Sequence, residues 1–160
     1  MKTPRFVPIL TAIIIVFISV VPTFAQNKVE PIDIEGVNKM MIVQDCPLFL
    51  VATAAWCGPC RQELPILNKL YAKYKEHGLK LVAISLDADG PAGMQRLVDA
   101  LDLKFPVYWA GERMASAYNI FGVPTILIVR EGKVQERIIG KRDENFLERK
   151  ISSLMSNCKP

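Results

Sequence analysis

Ala54-Ala55-Trp56-Cys57-Gly58-Pro59-Cys60-Arg61-Gln62-Glu63-Leu64-Pro65 sets two cysteines on either side of a Gly-Pro pair, with a tryptophan before them and a second proline after. The flanking segments decide how the pair is read. Upstream, Leu48-Phe49-Leu50-Val51-Ala52-Thr53 is a short continuous apolar run, the pattern of a strand covered on both faces. Downstream, Leu64, Leu67, Leu70, Tyr71 and Tyr74 recur at helical spacing, and His77-Gly78 supplies a stop. The cysteines therefore fall where a buried strand runs into a helix. Exposed amides and the positive end of the helix dipole favour an anion there, so a thiol at that junction is drawn below the free value of about 8.5. Cys57, at the helix start, is the candidate nucleophile; Cys60, one turn later and deeper, is placed to attack a mixed disulfide and release the partner. Trp56 is placed to shield the pair, and Pro59 falls in the first turn, where its missing amide costs little.

Three other readings of a C-x-x-C pair compete. A structural zinc site needs two further ligands at suitable spacing, whereas His77 is the only histidine and Cys46 and Cys158 stand alone and far apart. No metal site is expected. A purely structural disulfide closes too small a loop to restrain the unfolded chain much. Copper carriage through the dithiol is a binding function that the motif itself leaves open.

The remainder of the chain alternates strands and helices. Residues 26 to 40, with Pro31 and Gly36, read as a polar lead with one edge strand. Leu79 to Leu86 is a second buried strand ending in the turn residues Asp87-Ala88-Asp89-Gly90-Pro91, and Met94, Leu97, Val98 and Leu101 make a second amphipathic helix. Strand, helix, strand, helix in that order imply a parallel core. Phe105 to Tyr108 reads as a short strand and Glu112 to Tyr118 as a short helix. Thr125 to Val129 and the alternating run Val134 to Ile139 flank Arg130-Glu131-Gly132-Lys133 as an antiparallel hairpin at the sheet edge. Asp143 caps a last helix with the stripe Phe146, Leu147, Ile151 and Leu154. The expected fold is α/β: one mixed sheet with helices on both faces.

The start of the chain is of a different kind. Met1-Lys2-Thr3-Pro4-Arg5, the apolar run Phe6 to Val21 and then Pro22-Thr23-Phe24-Ala25-Gln26 have the three-part form of a secretory signal, with cleavage after Ala25. An uncleaved anchor formed by residues 6–21 is the alternative, since Thr23 is a mediocre residue upstream of the cut. Either way residues 26–160 form the exported domain, periplasmic or otherwise extracytoplasmic, free after cleavage or held at the inner membrane. Without Lys2 and Arg5 the formal charge falls from +4 to +2, too mild for a nucleic-acid partner. Exported cysteines in even number also make Cys46 and Cys158 a candidate structural disulfide, with two free thiols as the alternative.

Three segments together resemble the thioredoxin superfamily, and within it the exported TlpA/ResA/DsbE-like thiol-disulfide oxidoreductases: Trp56 to Pro65, Leu79 to Asp87, and Phe121-Gly122-Val123-Pro124-Thr125. The resemblance spans roughly residues 35 to 155. It implies a thioredoxin fold, no cofactor, and a cis peptide bond before Pro124 lying against the dithiol, where Val123 and Pro124, with Trp56, meet the substrate chain. Pro65 matches the family's helix-kinking proline. Many thioredoxins carry a buried acid six residues before the first cysteine, where this chain has Val51; Glu63 instead matches the glutamate of this branch, expected to tune or move a proton at the deeper thiol. The implied activity is reduction of disulfide-bearing protein substrates with electrons from a membrane thiol donor, in cytochrome c maturation or in general disulfide repair. The copper reading survives as a metallochaperone or its redox partner. A peroxide-reducing relative lacks a convincing lone peroxidatic cysteine.

Overall fold

The computed structural model describes residues 27–42, 46–156 and 158; the expected leader, residues 1–25 with its apolar run 6–21, lies outside the described residues. The chain folds as β1 (Glu30–Pro31), α1 (Ile34–Ile42), β2 (Leu48–Thr53), α2 (Gly58–Tyr74), β3 (Lys80–Ser85), α3 (Ala92–Leu101), β4 (Val107–Trp109), α4 (Arg113–Ala117), β5 (Thr125–Arg130), β6 (Lys133–Ile139) and α5 (Glu144–Met155). The strands form one sheet in the order β1-β4-β3-β2-β5-β6. The first four positions are mutually parallel, while β5 runs antiparallel to β2 and β6 antiparallel to β5.

Period-two alternation divides the sheet's side chains between two cores. Phe49 and Val51 of β2, Leu81 and Ala83 of β3, and Ile126 and Ile128 of β5 pack with Leu64, Leu67 and Leu70 of α2, Met94, Leu97 and Val98 of α3, and Leu147 and Ile151 of α5. Their neighbours Leu48, Leu50, Ala52, Val82, Ile84, Leu127 and Val129 pack on the other face with Val37 and Met41 of α1, Met114 of α4, Tyr118 and Ile120. Both faces of β2 are thus covered, which is why that strand reads as an unbroken apolar run.

Two elements depart from expectation. The lead contains its edge strand, β1, but also helix α1, over Ile34–Ile42, where no helix is expected. Its buried stripe is only Val37 and Met41, with Gly36 just before them, too short to register as periodicity. Asp33 begins it, its side chain accepting the Gly36 N–H at 2.7 Å, and complete burial of Val37 holds it on the sheet. Strand β4 begins at Val107, later than expected, after Phe105 has turned fully into the core. The hairpin turn has Glu131 at φ 52° and Gly132 at φ 74°, the paired left-handed geometry that twists with its strands. Asp143 caps α5 by accepting the Phe146 N–H at 2.8 Å.

Candidate active site

The carboxyl end of β2 delivers the dithiol. After Thr53, Ala54 is fully buried, and its carbonyl accepts the Cys57 N–H at 3.1 Å, closing a turn. Cys57 is then the N-cap of α2, with extended φ/ψ, and its Sγ accepts the Cys60 N–H at 3.1 Å. A sulfur occupies the position where a serine or aspartate oxygen would otherwise satisfy a free helix amide, so negative charge on that sulfur is stabilised where it forms. The two sulfurs are joined, with Cα atoms 5.2 Å apart. Exposure does not separate them, at 3% for Cys57 and 1% for Cys60; the N-cap position does.

Opposite the disulfide lies the segment before β5. The Val123–Pro124 bond is cis, and the Val123 carbonyl oxygen sits 3.5 Å from Cys57 Sγ. Pro124 is buried and its carbonyl accepts the Gly140 N–H at 2.9 Å; Thr125 donates its hydroxyl to the Gly122 carbonyl at 2.7 Å. Ala54, Val123 and the two cysteines pack together as a small cluster at the sheet's end. Trp56 does not shield it. At 71% exposure the indole stands out as a ridge, because the turn that buries the sulfurs under Ala54 and Val123 directs position 56 outward. A hollow of about 550 Å³ on one side of the ridge is lined by Arg61, Asp87, Asp89 and Arg96. A hollow of about 280 Å³ on the other is lined by Leu86, Glu112, Ile120, Phe121 and Val123.

Glu63, two turns into α2 and 1% exposed, is a carboxylate inside the core face. Its Oε1 accepts the Arg142 N–H at 2.7 Å, while Oε2 is buried without a partner among the described residues. Burial pushes the carboxyl above its ordinary range, against the lowering effect of the Arg142 N–H and the charges of Arg142 and Lys141. An acid with one unpaired oxygen and a raised pKa is suited to holding and passing a proton. Val51 is buried in the core on the α2 side, so β2 itself supplies no acid.

Residues 39–154 match the redoxin family model. The chain is 35% identical over 131 residues to the thiol-disulfide oxidoreductase ResA of Bacillus cereus, covering 81% of this chain and 70% of that protein. It is 33% identical to ResA of Oceanobacillus iheyensis over 77% of this chain and 60% of that protein. Among solved structures, a thiol:disulfide interchange protein DsbE from Chlorobium tepidum superimposes with TM-score 0.65 at 30% identity, over 73% of this chain and 84% of that one. StoA from Bacillus subtilis, at 23% identity and TM-score 0.59 over 67% and 83% of the two chains, shares the fold.

The chain belongs to the redoxin family. Within it, this is a TlpA/ResA/DsbE-like thiol-disulfide oxidoreductase with the thioredoxin fold.

The structure brings further residues to this end of the sheet that the sequence does not single out as site candidates. Asp87, 7% exposed at the carboxyl end of β3, faces the turn before Cys57; in the sequence it is one acid in a turn, distinguishable only by following an apolar strand directly. Phe121, 92% exposed beside the cis bond, has no sequence signal beyond its neighbours. Thr53 is fully buried with its hydroxyl unpartnered among the described residues, at the same end of the sheet. The described residues hold no group of three potential ligands able to bind a metal.

Proposed function

We propose that this redoxin is an exported reductant of protein disulfides in which Cys57 attacks and Cys60 resolves. The observation that carries this reading is Cys57 Sγ at the helix cap, accepting the Cys60 N–H and lying 3.5 Å from the Val123 carbonyl at the cis bond. A client cysteine lying along Val123 and Pro124 meets the sulfur whose anion the helix terminus favours.

In the reduced enzyme the Cys57 thiolate attacks one sulfur of the client disulfide. A Cys57–client bond forms, the client disulfide breaks, and the second client sulfur leaves as a thiolate and takes up a proton. Cys60 gives its proton to Glu63 and attacks Cys57 Sγ, so the Cys57–Cys60 bond forms, the Cys57–client bond breaks, and the first client sulfur leaves as a thiolate that takes up the proton Glu63 releases. Two electrons pass to the client, which becomes a dithiol. A membrane thiol donor then reduces Cys57–Cys60 by the reverse exchange. The Trp56 ridge and exposed Phe121 border the client's approach and offer apolar surface to a chain segment that is at least partly unfolded. Such segments include the cysteine pairs of apocytochrome c before haem attachment, the client class to which the family resemblance points.

What supports this direction is the Gly-Pro pair between the cysteines, which resembles that of reducing thioredoxins. Export rests on the leader-like residues 1–25, with attachment by residues 6–21 if they are not removed. Among the described residues no helix is long and apolar enough to cross a membrane.

A Cys60→Ser variant tests the order of attack by stalling the mixed disulfide on Cys57. Covalent adducts released by a small thiol, and identified as exported proteins with cysteine pairs, are the expected result. An empty trap, or adducts formed only by Cys57→Ser through Cys60, would refute it. The equilibrium potential tests direction: a value near the roughly −120 mV of a strong oxidant would overturn the reductant assignment.

A further inference from the structure

The peptide unit joining Ala54 to Ala55 is gripped at both ends. Its carbonyl accepts the Cys57 N–H at 3.1 Å, and its N–H donates to both carboxylate oxygens of Asp87 at 3.0 Å each. Asp87 is itself fixed. Its Oδ2 accepts the Ser85 hydroxyl at 2.6 Å, its own N–H donates to Ser85 Oγ at 3.3 Å, and its carbonyl accepts the Trp109 indole N–H at 2.7 Å. Ser85 is fully buried and Asp87 7% exposed, and no lysine or arginine forms an ion pair with Asp87 among the described residues. A buried carboxylate that has two donors, the Ala55 N–H shared between its oxygens and the Ser85 hydroxyl, and no ion pair among the described residues is costly to keep, and both donors lie on the turn that presents the nucleophile or on the strand end beside it.

We infer that Asp87 is a positioning residue of the dithiol: through the Ala54–Ala55 peptide it fixes the Cys57 turn and biases the Cys57–Cys60 couple toward electron donation. The physical chain is short. A charged acceptor strengthens and polarises the peptide it binds, so the Ala54 carbonyl becomes a better acceptor for the Cys57 N–H, and the turn is held in one geometry. The same negative charge opposes a second one forming on Cys57. Because a stabilised thiolate makes a couple oxidising, an opposed thiolate makes it reducing. The α2 terminus works in the other direction, so the potential is set by the balance of helix dipole and Asp87.

Other charged groups border the sulfurs. Arg61, Asp89 and Arg96 share the hollow with Asp87, Glu112 lines the hollow across Trp56, and Glu63 lies on α2. Arg61, Asp89, Arg96 and Glu112 are exposed and screened by salt; Glu63 is tied to the Arg142 amide. Among the described residues, Asp87 is the only one of these charged groups whose side chain is hydrogen-bonded to the Cys57 turn; Arg61 meets it only through its backbone N–H, which donates to the Cys57 carbonyl at 3.1 Å.

The inference rests on the Cys57-first reading, and the test keeps the two apart. In the full chain, Asp87→Asn preserves shape and an acceptor oxygen but removes the charge. Its equilibrium constant with glutathione should move threefold to tenfold toward the dithiol, tenfold being about 30 mV for this couple, and Cys57 should titrate at lower pH. Asp89→Asn removes a charge from the same hollow and should leave both within twofold. An Asp87→Asn variant that folds with an unchanged glutathione constant and Cys57 titration overturns the inference, as does an equal shift in Asp89→Asn. If Asp87→Asn does not fold, Ser85→Ala removes a hydrogen bond from Oδ2 and leaves the charge, concentrating it on Ala55; the constant should then move toward the disulfide, and no movement overturns the inference. Preferential alkylation of Cys60 over Cys57 in the reduced wild-type chain would instead be a failure of the Cys57-first reading.

Discussion

At the scale of single residues, Glu63 joins burial to chemistry. Its native pKa lies above the ordinary 4.5, so the folded chain holds that proton more tightly than the unfolded chain does. The stability this contributes is complete below about pH 4.5 and is lost as pH rises through the native value. Denaturant titrations across that range should therefore show wild type losing stability relative to Glu63→Gln as pH rises, and parallel curves would mean that burial does not oppress the carboxylate. The same substitution should slow resolution by Cys60 about 10²-fold, the lower end of what a positioned acid–base group contributes, and flatten its pH profile. Phe121 makes the opposite case, an apolar ring that costs the fold nothing to lose. Phe121→Ser should leave stability within about 0.5 kcal/mol, yet raise KM for a protein disulfide about tenfold with kcat unchanged. A matching rise with a small disulfide such as oxidised glutathione would sink its role as a protein-docking surface. Cys57 and Cys60 are legible in the sequence because they share one strand-to-helix junction, where spacing sets their placement; Glu63 is legible only through the family resemblance, since spacing alone reads it as an ordinary acid near the helix start. Asp87 and Phe121 fall within segments that carry the resemblance, but neither is marked there as a site candidate, because their nearness to the cysteines depends on which loops the sheet brings to the carboxyl end of β2.

At the scale of elements, legibility follows length and coverage. Strands β2, β3 and β5 are central and apolar on both faces, and α2 and α3 carry long enough stripes to be periodic, so each is readable locally. Helix α1 is not, because two buried residues and a glycine make no pattern, and its helicity comes from the sheet beneath it. The turn between β5 and β6 adds a second hold: the Gly132 N–H donates to the Met41 carbonyl at 3.1 Å, and a Cβ at Gly132 would meet Ile42 at 3.7 Å. Tertiary support of this kind predicts an asymmetry. Val37→Ala, at a fully buried position, should cost about 2 to 3 kcal/mol. Lys39→Ala, which removes the exposed pair with Glu35 on the same helix, should cost no more than about 0.5 kcal/mol. Urea unfolding of the two variants decides; equal losses would mean that α1 is held by its own surface rather than by the core.

At the scale of the whole molecule, the two cysteine pairs occupy opposite ends of β2. Cys46 precedes Leu48 and Cys57 follows Thr53, so a six-residue strand, about 20 Å long, separates them. The sulfurs of Cys46 and Cys158 lie at bonding distance with Cα atoms 5.2 Å apart, joining the segment after α5 to the entrance of the central strand. Cys46 is 3% exposed, and the Cβ position of Gly78 faces its sulfur at 3.4 Å and Met155 at 3.7 Å, so that end of the chain is packed as well as tethered. Closing a loop over a separation of 112 residues restrains the unfolded chain by about 4 to 5 kcal/mol in the chain-entropy model, an upper figure for engineered cross-links. Cys158→Ser should therefore lower unfolding stability by several kcal/mol while leaving the glutathione equilibrium of Cys57 and Cys60 unmoved, because the thiols are too far apart to exchange. Graded reduction separates the roles further. Mild thiol should open Cys57–Cys60 first, and alkylation followed by mass spectrometry should find label on Cys57 while Cys46 and Cys158 stay protected until the fold is lost. Label on Cys46 or Cys158 without any reductant would sink the staple, and simultaneous opening of both pairs would mean that burial at the far end of β2 gives no protection.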